Sequence, residues 1–382
     1  MIKQILSNSC AELKRRLALA RQSIKGKAIP GEARLCYDWV LDTLAKMEWQ
    51  LDRLASLLAL NLEDKILFQT WYSELSILTS ELEVLDQYYL HPLYRLGKDD
   101  VLALKVIQWL HQSHPQTMDK AFIVSNGSFS IAASPRNPTL YWLPVTSQLS
   151  FLHLPLFFHE FGHELFQHHR AEMEDLIAEF QEKLAEFLRP AVSQSDDRYE
   201  DYVEKAADIV ETWREWMEEL FCDAVGLTIG GKSYLRAFSH FIRMGGIKEF
   251  YVPERQLSKR SHPVSLLRIR FLTERATGMG LEAESASLEE EWRSLAGLLD
   301  ACEDYYGYFD DEFRHHVTAV LDDMLTEASP IRYEDIISAE GADGENYLHM
   351  VSQAWDNFQG DPETYPAWEK GEIDRILADK KR

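Results

Sequence analysis

Cysteine is scarce in this chain: Cys10, Cys36, Cys222 and Cys302 are the four in 382 residues. They lie far apart and form no C-x-x-C pair, which argues against a zinc ribbon or a disulfide framework and for reduced thiols. Long apolar runs are missing as well. No stretch reaches about 18 apolar residues, so no membrane-spanning helix is expected. The opening segment, "MIKQILSNSCAELKRRLALARQ", has no apolar core followed by a small-residue cleavage site. It reads as an amphipathic helix rather than a signal peptide, and a cytoplasmic location is expected. Positive charge is in deficit. Lys and Arg number 40 against 63 Asp and Glu, a net charge of −23, and residues 301–382 hold 20 acidic and 7 basic side chains. Such a surface repels phosphate backbones and anionic lipid, which disfavours nucleic-acid binding.

Helical signals dominate what is present. In "CYDWVLDTLAKMEWQLDRLASLLALNL", Leu41, Leu44, Met47, Leu51, Leu54 and Leu58 recur at three- and four-residue steps and mark one apolar face. "ILFQTWYSELSILTSELEVLDQYYL" repeats the pattern, and Pro30-Gly31 breaks the first helix. Residues 1–115 therefore read as a helical bundle. The texture changes near residue 118. "FIV" and "FSIAA", separated by "SNGS", suggest a hairpin at Asn126-Gly127. "TLYWLPV" reads as a further strand, placed at an edge by Pro144. A small antiparallel sheet is expected. Helix resumes at Pro155 and runs to about Phe187 with a bend near His168. "RPAVSQSDD" is a loop. A second long helix covers about 198–228 and stops at Gly230-Gly231. Another begins near Pro263, and 285–382 is helical apart from the looser "SAEGADGEN". The expected class is mainly α with a small antiparallel sheet (α+β).

The chemistry begins at "FFHEFGHELF", residues 157–166. On a helix, residues four apart share a face, so His159 and His163 aim two imidazoles at one metal ion. Glu160 is angled beside them, in reach of a water that the metal acidifies. Two histidines do not complete a zinc site, which takes three protein ligands and one open position. No H-x-x-G-x-x-H extension follows, and His168 and His169 read as solvated helix surface. The third ligand is expected from "ETWREWMEELFCDAVGL", residues 211–227. There Val203, Ala206, Val210, Trp213, Met217, Leu220, Ala224 and Leu227 form a core-facing stripe, with Glu219 and Asp223 one turn apart at its edge. Glu219 suits the metal, and Asp223 suits the second ring nitrogen of a ligand histidine, His159 first. Glu218 and Glu215 compete with Glu219 for the ligand position.

H-E-x-x-H followed on a later helix by E-x-x-x-D resembles the gluzincin pattern of zinc metallopeptidases. "EELFCDAVG" is similar to the thermolysin-like glutamate helix. "SHPVSLLRIR", residues 261–270, resembles the S-H-P-x-x-x-x-R segment of the CAAX prenyl endopeptidase and HtpX family. That resemblance implies a zincin-like core over 116–280, with Zn2+ held by His159, His163 and Glu219, Glu160 as general base, and His262 with Arg268 assisting the transition state. Tyr251 and Tyr234 are the fallback oxyanion donors. The named family is largely membrane-embedded, so the expectation here is a soluble member of the wider gluzincin group, flanked by helical regions at 1–115 and 281–382. Its partner would be a protein or peptide substrate, a single specific protein among the options, adding as a strand to "TLYWLPV". A reading from another class is a helical interaction scaffold whose zinc site is structural or vestigial. Oligomeric state is left open.

Overall fold

The structure is a computed structural model that describes residues 1–60, 64–189, 197–301, 303–338 and 347–378. Cys302, the core of "RPAVSQSDD" and nearly all of "SAEGADGEN" lie outside the described residues. Two compact units emerge: Met1–Gln108 with Asp119–Leu149, and Trp109–Met118 with Ser150–Ala378. The expected core, 116–280, thus has parts in both. Among the described residues no helix is long and apolar enough to cross a membrane.

The first unit opens with α1 (Ile2–Ile24), α2 (Arg34–Ala59) and α3 (Lys65–Leu85), then α4 (His91–Arg95) and α5 (Val101–Gln112), whose last turn belongs to the second unit. Leu44, Met47, Leu51, Leu54 and Leu58 of α2 are all buried, as their spacing requires. α1, α2 and α3 pack against one another on these apolar faces. Three strands follow, β1 (Phe122–Asn126), β2 (Ser130–Ala132) and β3 (Thr139–Leu143), in the order β1-β3-β2. β3 runs parallel to β1 and antiparallel to β2.

The sheet is therefore mixed, not antiparallel, and β1 and β2 form no hairpin. Gly127 has another role. Its amide donates to Leu143 O at 3.0 Å, and a Cβ there would stand 2.9 Å from the Trp142 ring. "TLYWLPV" is not an edge strand either. β3 ends at Leu143, and Pro144 follows it as the cap of the short helical turn Val145–Ser147. Pro144 removes no donor from the ladder because it is not in it. β3 is paired on both sides and offers no free edge for an added strand.

The second unit holds α6 (Leu156–His168), α7 (Arg170–Phe187), α8 (Tyr199–Arg243), α9 (Glu254–Leu257), α10 (Ser265–Gly278), α11 (Glu282–Leu298), α12 (Arg314–Ala328), α13 (Tyr333–Ser338), α14 (Tyr347–Gly360) and α15 (Tyr365–Ala378). α8 is the hub: α6, α7, α10, α12 and α14 all pack against it. Its buried stripe begins only at Ile209. Val203 is exposed and Ala206 half-buried, so the first turns of α8 project past the core. The helix does not stop at Gly230-Gly231. Gly231 takes φ +51° and ψ −132°, a conformation open to glycine, and helix resumes beyond it to Arg243. The expected stop is a kink. α10 begins at Ser265, with Val264 at its cap.

Candidate metal centre

α6 carries H-E-x-x-H and is buried nearly all round. Phe157, Phe158, Phe161 and Leu165 are fully enclosed, and this apolar surround holds the polar trio inside the unit. Glycines then set the distance to α8. A Cβ on Gly162 would lie 2.7 Å from Cys222 Cα. The two backbones touch at that point, four residues before Gly226 and three after Glu219, and side chains from both helices share one small volume.

His159, His163 and Glu219 present ligand atoms that all lie within 4.8 Å of one another, a group that could hold a metal ion. His159 and Glu219 are buried and His163 is half-buried. His159 Nε2 stands 3.4 Å from Glu219 Oε2, and His163 Nε2 3.7 Å from Glu219 Oε1. Glu219 Oε2 is buried yet makes no hydrogen bond. It lies near His262 Nε2, at 3.1 Å, and Arg268 Nη2, at 3.6 Å, but without hydrogen-bonding geometry. A buried carboxylate oxygen facing imidazole nitrogens without a bond suits a cation between them, and two nitrogens with one carboxylate form a catalytic-type zinc donor set.

The other ring nitrogens are held. His159 Nδ1 and Asp223 Oδ1 are 2.9 Å apart, and His163 Nδ1 and Glu218 Oε1 are 2.9 Å apart. With Nδ1–H donating in each case, both Nε2 lone pairs face the centre. The three acids of α8 thereby separate. Glu219 points a carboxylate at both histidines, Glu218 supports His163, and Glu215 is exposed. Spacing alone left this choice open, and the role of Glu218 carried no sequence signal.

Asp223 anchors a buried network. Arg268 Nε donates to Oδ2 at 2.7 Å and Nη2 to Oδ1 at 2.8 Å, while the Tyr234 hydroxyl donates to Oδ1 at 2.9 Å. The Arg268 guanidinium lies 4.7 Å from the Phe238 ring, which also stacks on His159. Tyr234 is thus no free oxyanion donor, because its hydroxyl is bound to Asp223. Tyr251 pairs with Tyr306 at 2.6 Å. Arg268, expected beside the transition state, directs two donors to Asp223. Tyr234 and Phe238 reach the site only because the chain turns at Gly231. Gly226 makes room for the Tyr234 ring, which a Cβ would meet at 2.5 Å.

His262 sits at the exposed rim, with Nδ1 2.7 Å from Ser261 Oγ. Trp216 Nε1 donates to Arg260 O at 3.1 Å and ties this segment to α8. His168 is exposed, and half-buried His169 pairs with Glu327 at 3.2 Å.

Burial lowers the His159 pKa, but the hydrogen bond to Asp223 and the negative charges of Asp223 and Glu219 outweigh it and raise the group to about 10. Burial raises Glu219, and the nearby positive charges of His159, Arg268 and His262 pull it down to about 2. The Asp223 carboxyl lies far below its ordinary value: burial raises it, and the Arg268 charge and the His159 contact overcome that. Glu160 is the exception. It is buried at 7% exposure, and burial lifts its pKa above the usual carboxylate value. A carboxylate raised in this way is a stronger base than its neighbours. Comparison with family models, curated proteins and solved structures gives no match to this chain.

Proposed function

We propose that this protein is a zinc-dependent endopeptidase of gluzincin type, acting on a protein or peptide in the cytoplasm. One observation carries the reading: His159, His163 and Glu219 converge within 4.8 Å from two helices, with Glu160 buried beside them. Zinc held by these three residues would supply a Lewis acid that polarises a peptide carbonyl and acidifies water. Glu160 accepts the proton from water and returns it to the leaving amine. Asp223 and Glu218 keep both ligand imidazoles in the tautomer that faces the centre. Arg268 and Tyr234 hold Asp223 in place. His262, at the rim, donates to the developing oxyanion. Supporting this order of roles are the H-E-x-x-H and E-x-x-x-D spacings and the raised Glu160 carboxyl.

The test is metal content joined to turnover. Wild-type protein holds about one zinc per chain and cleaves unfolded protein substrates, and His163→Ala loses the metal. Glu160→Gln keeps the metal and loses turnover on the order of 10²–10⁴-fold. Zinc retained in full by His163→Ala overturns the assignment.

A second reading, a structural metal site in a helical scaffold, draws on His262 Nε2 at 3.1 Å from Glu219. A third imidazole nitrogen that close suits a closed set of four protein ligands. In that case zinc removal unfolds the protein, and no substrate is cut.

A further inference from the structure

A cleft of about 470 Å3 adjoins Glu219, between α7 and the part of α8 that precedes the ligand. Its floor is apolar, with Phe166 and Ile177 buried. Its walls carry Arg170 and Glu174 from α7 and Arg214 and Glu218 from α8.

Two guanidiniums, Arg170 and Arg214, and four carboxylates, Glu174, Glu215, Glu218 and Glu219, line the cleft, and the pairing among them is uneven. Arg170 Nε donates to Glu174 Oε1 at 2.8 Å, and Arg214 Nη2 stands 3.7 Å from the same oxygen. Two guanidiniums therefore share one carboxylate oxygen. The Arg214 contact exceeds hydrogen-bond length, and among the described residues its guanidinium donates no hydrogen bond. A guanidinium has five donors in a planar fork shaped to a carboxylate. Glu218 is taken by His163 Nδ1. Glu215, also on this wall, is exposed and adjacent to Arg214 in sequence, a spacing at which helical side chains do not face each other.

We propose that this cleft is a substrate subsite that recognises a carboxylate through Arg214, with Arg170 beside it; the proposal rests on the peptidase reading. Arg214 lies five residues before the ligand Glu219, about 7.5 Å along the axis. An extended peptide advances about 3.4 Å per residue, so the carboxylate falls about two residues from the bond that is cut. An Asp or Glu side chain supplies it, or a chain end, since both offer the same group. The apolar floor takes the substrate side chain nearer the centre.

The experiment uses full-length, zinc-loaded Glu160→Gln protein and fluorescent decapeptides. Each peptide carries one Glu, Gln or Lys at a varied position and ends in a free or an amidated terminus. At one position Glu is expected to bind about tenfold tighter than Gln. Arg214→Gln removes the preference, and Arg214→Glu, on an exposed position that leaves the melting temperature unchanged, transfers it to Lys. A preference that follows the free terminus instead identifies the chain end as the source. Equal binding of Glu and Gln at every position with both termini, no binding of any peptide, or a preference that survives in Arg214→Gln overturns the subsite. Metal content and turnover of the Glu160 pair judge the peptidase reading separately.

Discussion

Asp223 Oδ1 is approached by three donors: the His159 imidazole, the Arg268 guanidinium and the Tyr234 hydroxyl. A buried carboxylate is tolerable when so many partners replace water, and breaking such a set by removing one charge costs about 3–5 kcal/mol. His163 is supported differently, by the half-buried Glu218. That difference allows a clean test of support without collapse. Glu218→Gln still accepts from His163 Nδ1 but lacks the charge that makes the imidazole a better donor to metal. Zinc affinity is expected to fall about tenfold while the melting temperature stays within about two degrees, read by competition with a chromophoric chelator and by calorimetry. Unchanged affinity would leave Glu218 as a surface residue.

Helix α6 meets α8 through Gly162, where a Cβ would lie 2.7 Å from Cys222 Cα. That neighbour is backbone, so it cannot swing aside as a side chain would. Gly162→Ala is expected to push the helices apart and lower stability by about 1–3 kcal/mol, measured by denaturant unfolding. Zinc affinity should drop in the same variant, since the histidines and Glu219 belong to the separated helices. A stable Gly162→Ala protein with full zinc affinity would show that close approach is not what builds the centre. The helices themselves were legible in advance. Leu44, Met47, Leu51, Leu54 and Leu58 follow the helical period and are buried, and Pro30-Gly31 falls between α1 and α2. The strands were legible only as strands. Asn126-Gly127 looks like a turn, yet β3, thirteen residues further on, inserts between β1 and β2.

Across the molecule, the charges at the centre tie stability to pH. His159 has its pKa raised from 6.5 to about 10, so the stability it adds to the metal-free protein is complete below pH 6.5 and lost as pH rises towards about 10. Glu219, lowered from 4.5 to about 2, adds stability that is complete above pH 4.5 and lost as pH falls towards about 2. Chelated protein should therefore melt highest between pH 4.5 and 6.5, with the melting temperature falling on both sides. If zinc binds as proposed, it is expected to remove the alkaline decline, because a ligating His159 is neutral. A chelated protein whose melting temperature is flat from pH 6.5 to 9 would contradict this account of the buried charges.

Residue order was enough to establish the predominance of helix, the shared face of His159 and His163, the place of Glu160 beside them and the lack of a long apolar helix. Each of these follows from a period of a few residues, which local backbone geometry imposes. Folding in three dimensions settled the rest. Glu215, Glu218 and Glu219 lie within about one turn of each other, and only the packing of α6 on α8 gives each its role. Tyr234 reaches Asp223 because Gly231 turns the helix back, and β3 takes the middle of the sheet although Pro144 suggested an edge. Contacts such as His159 with Asp223, 64 residues apart, depend on how whole helices meet, which no local repeat encodes.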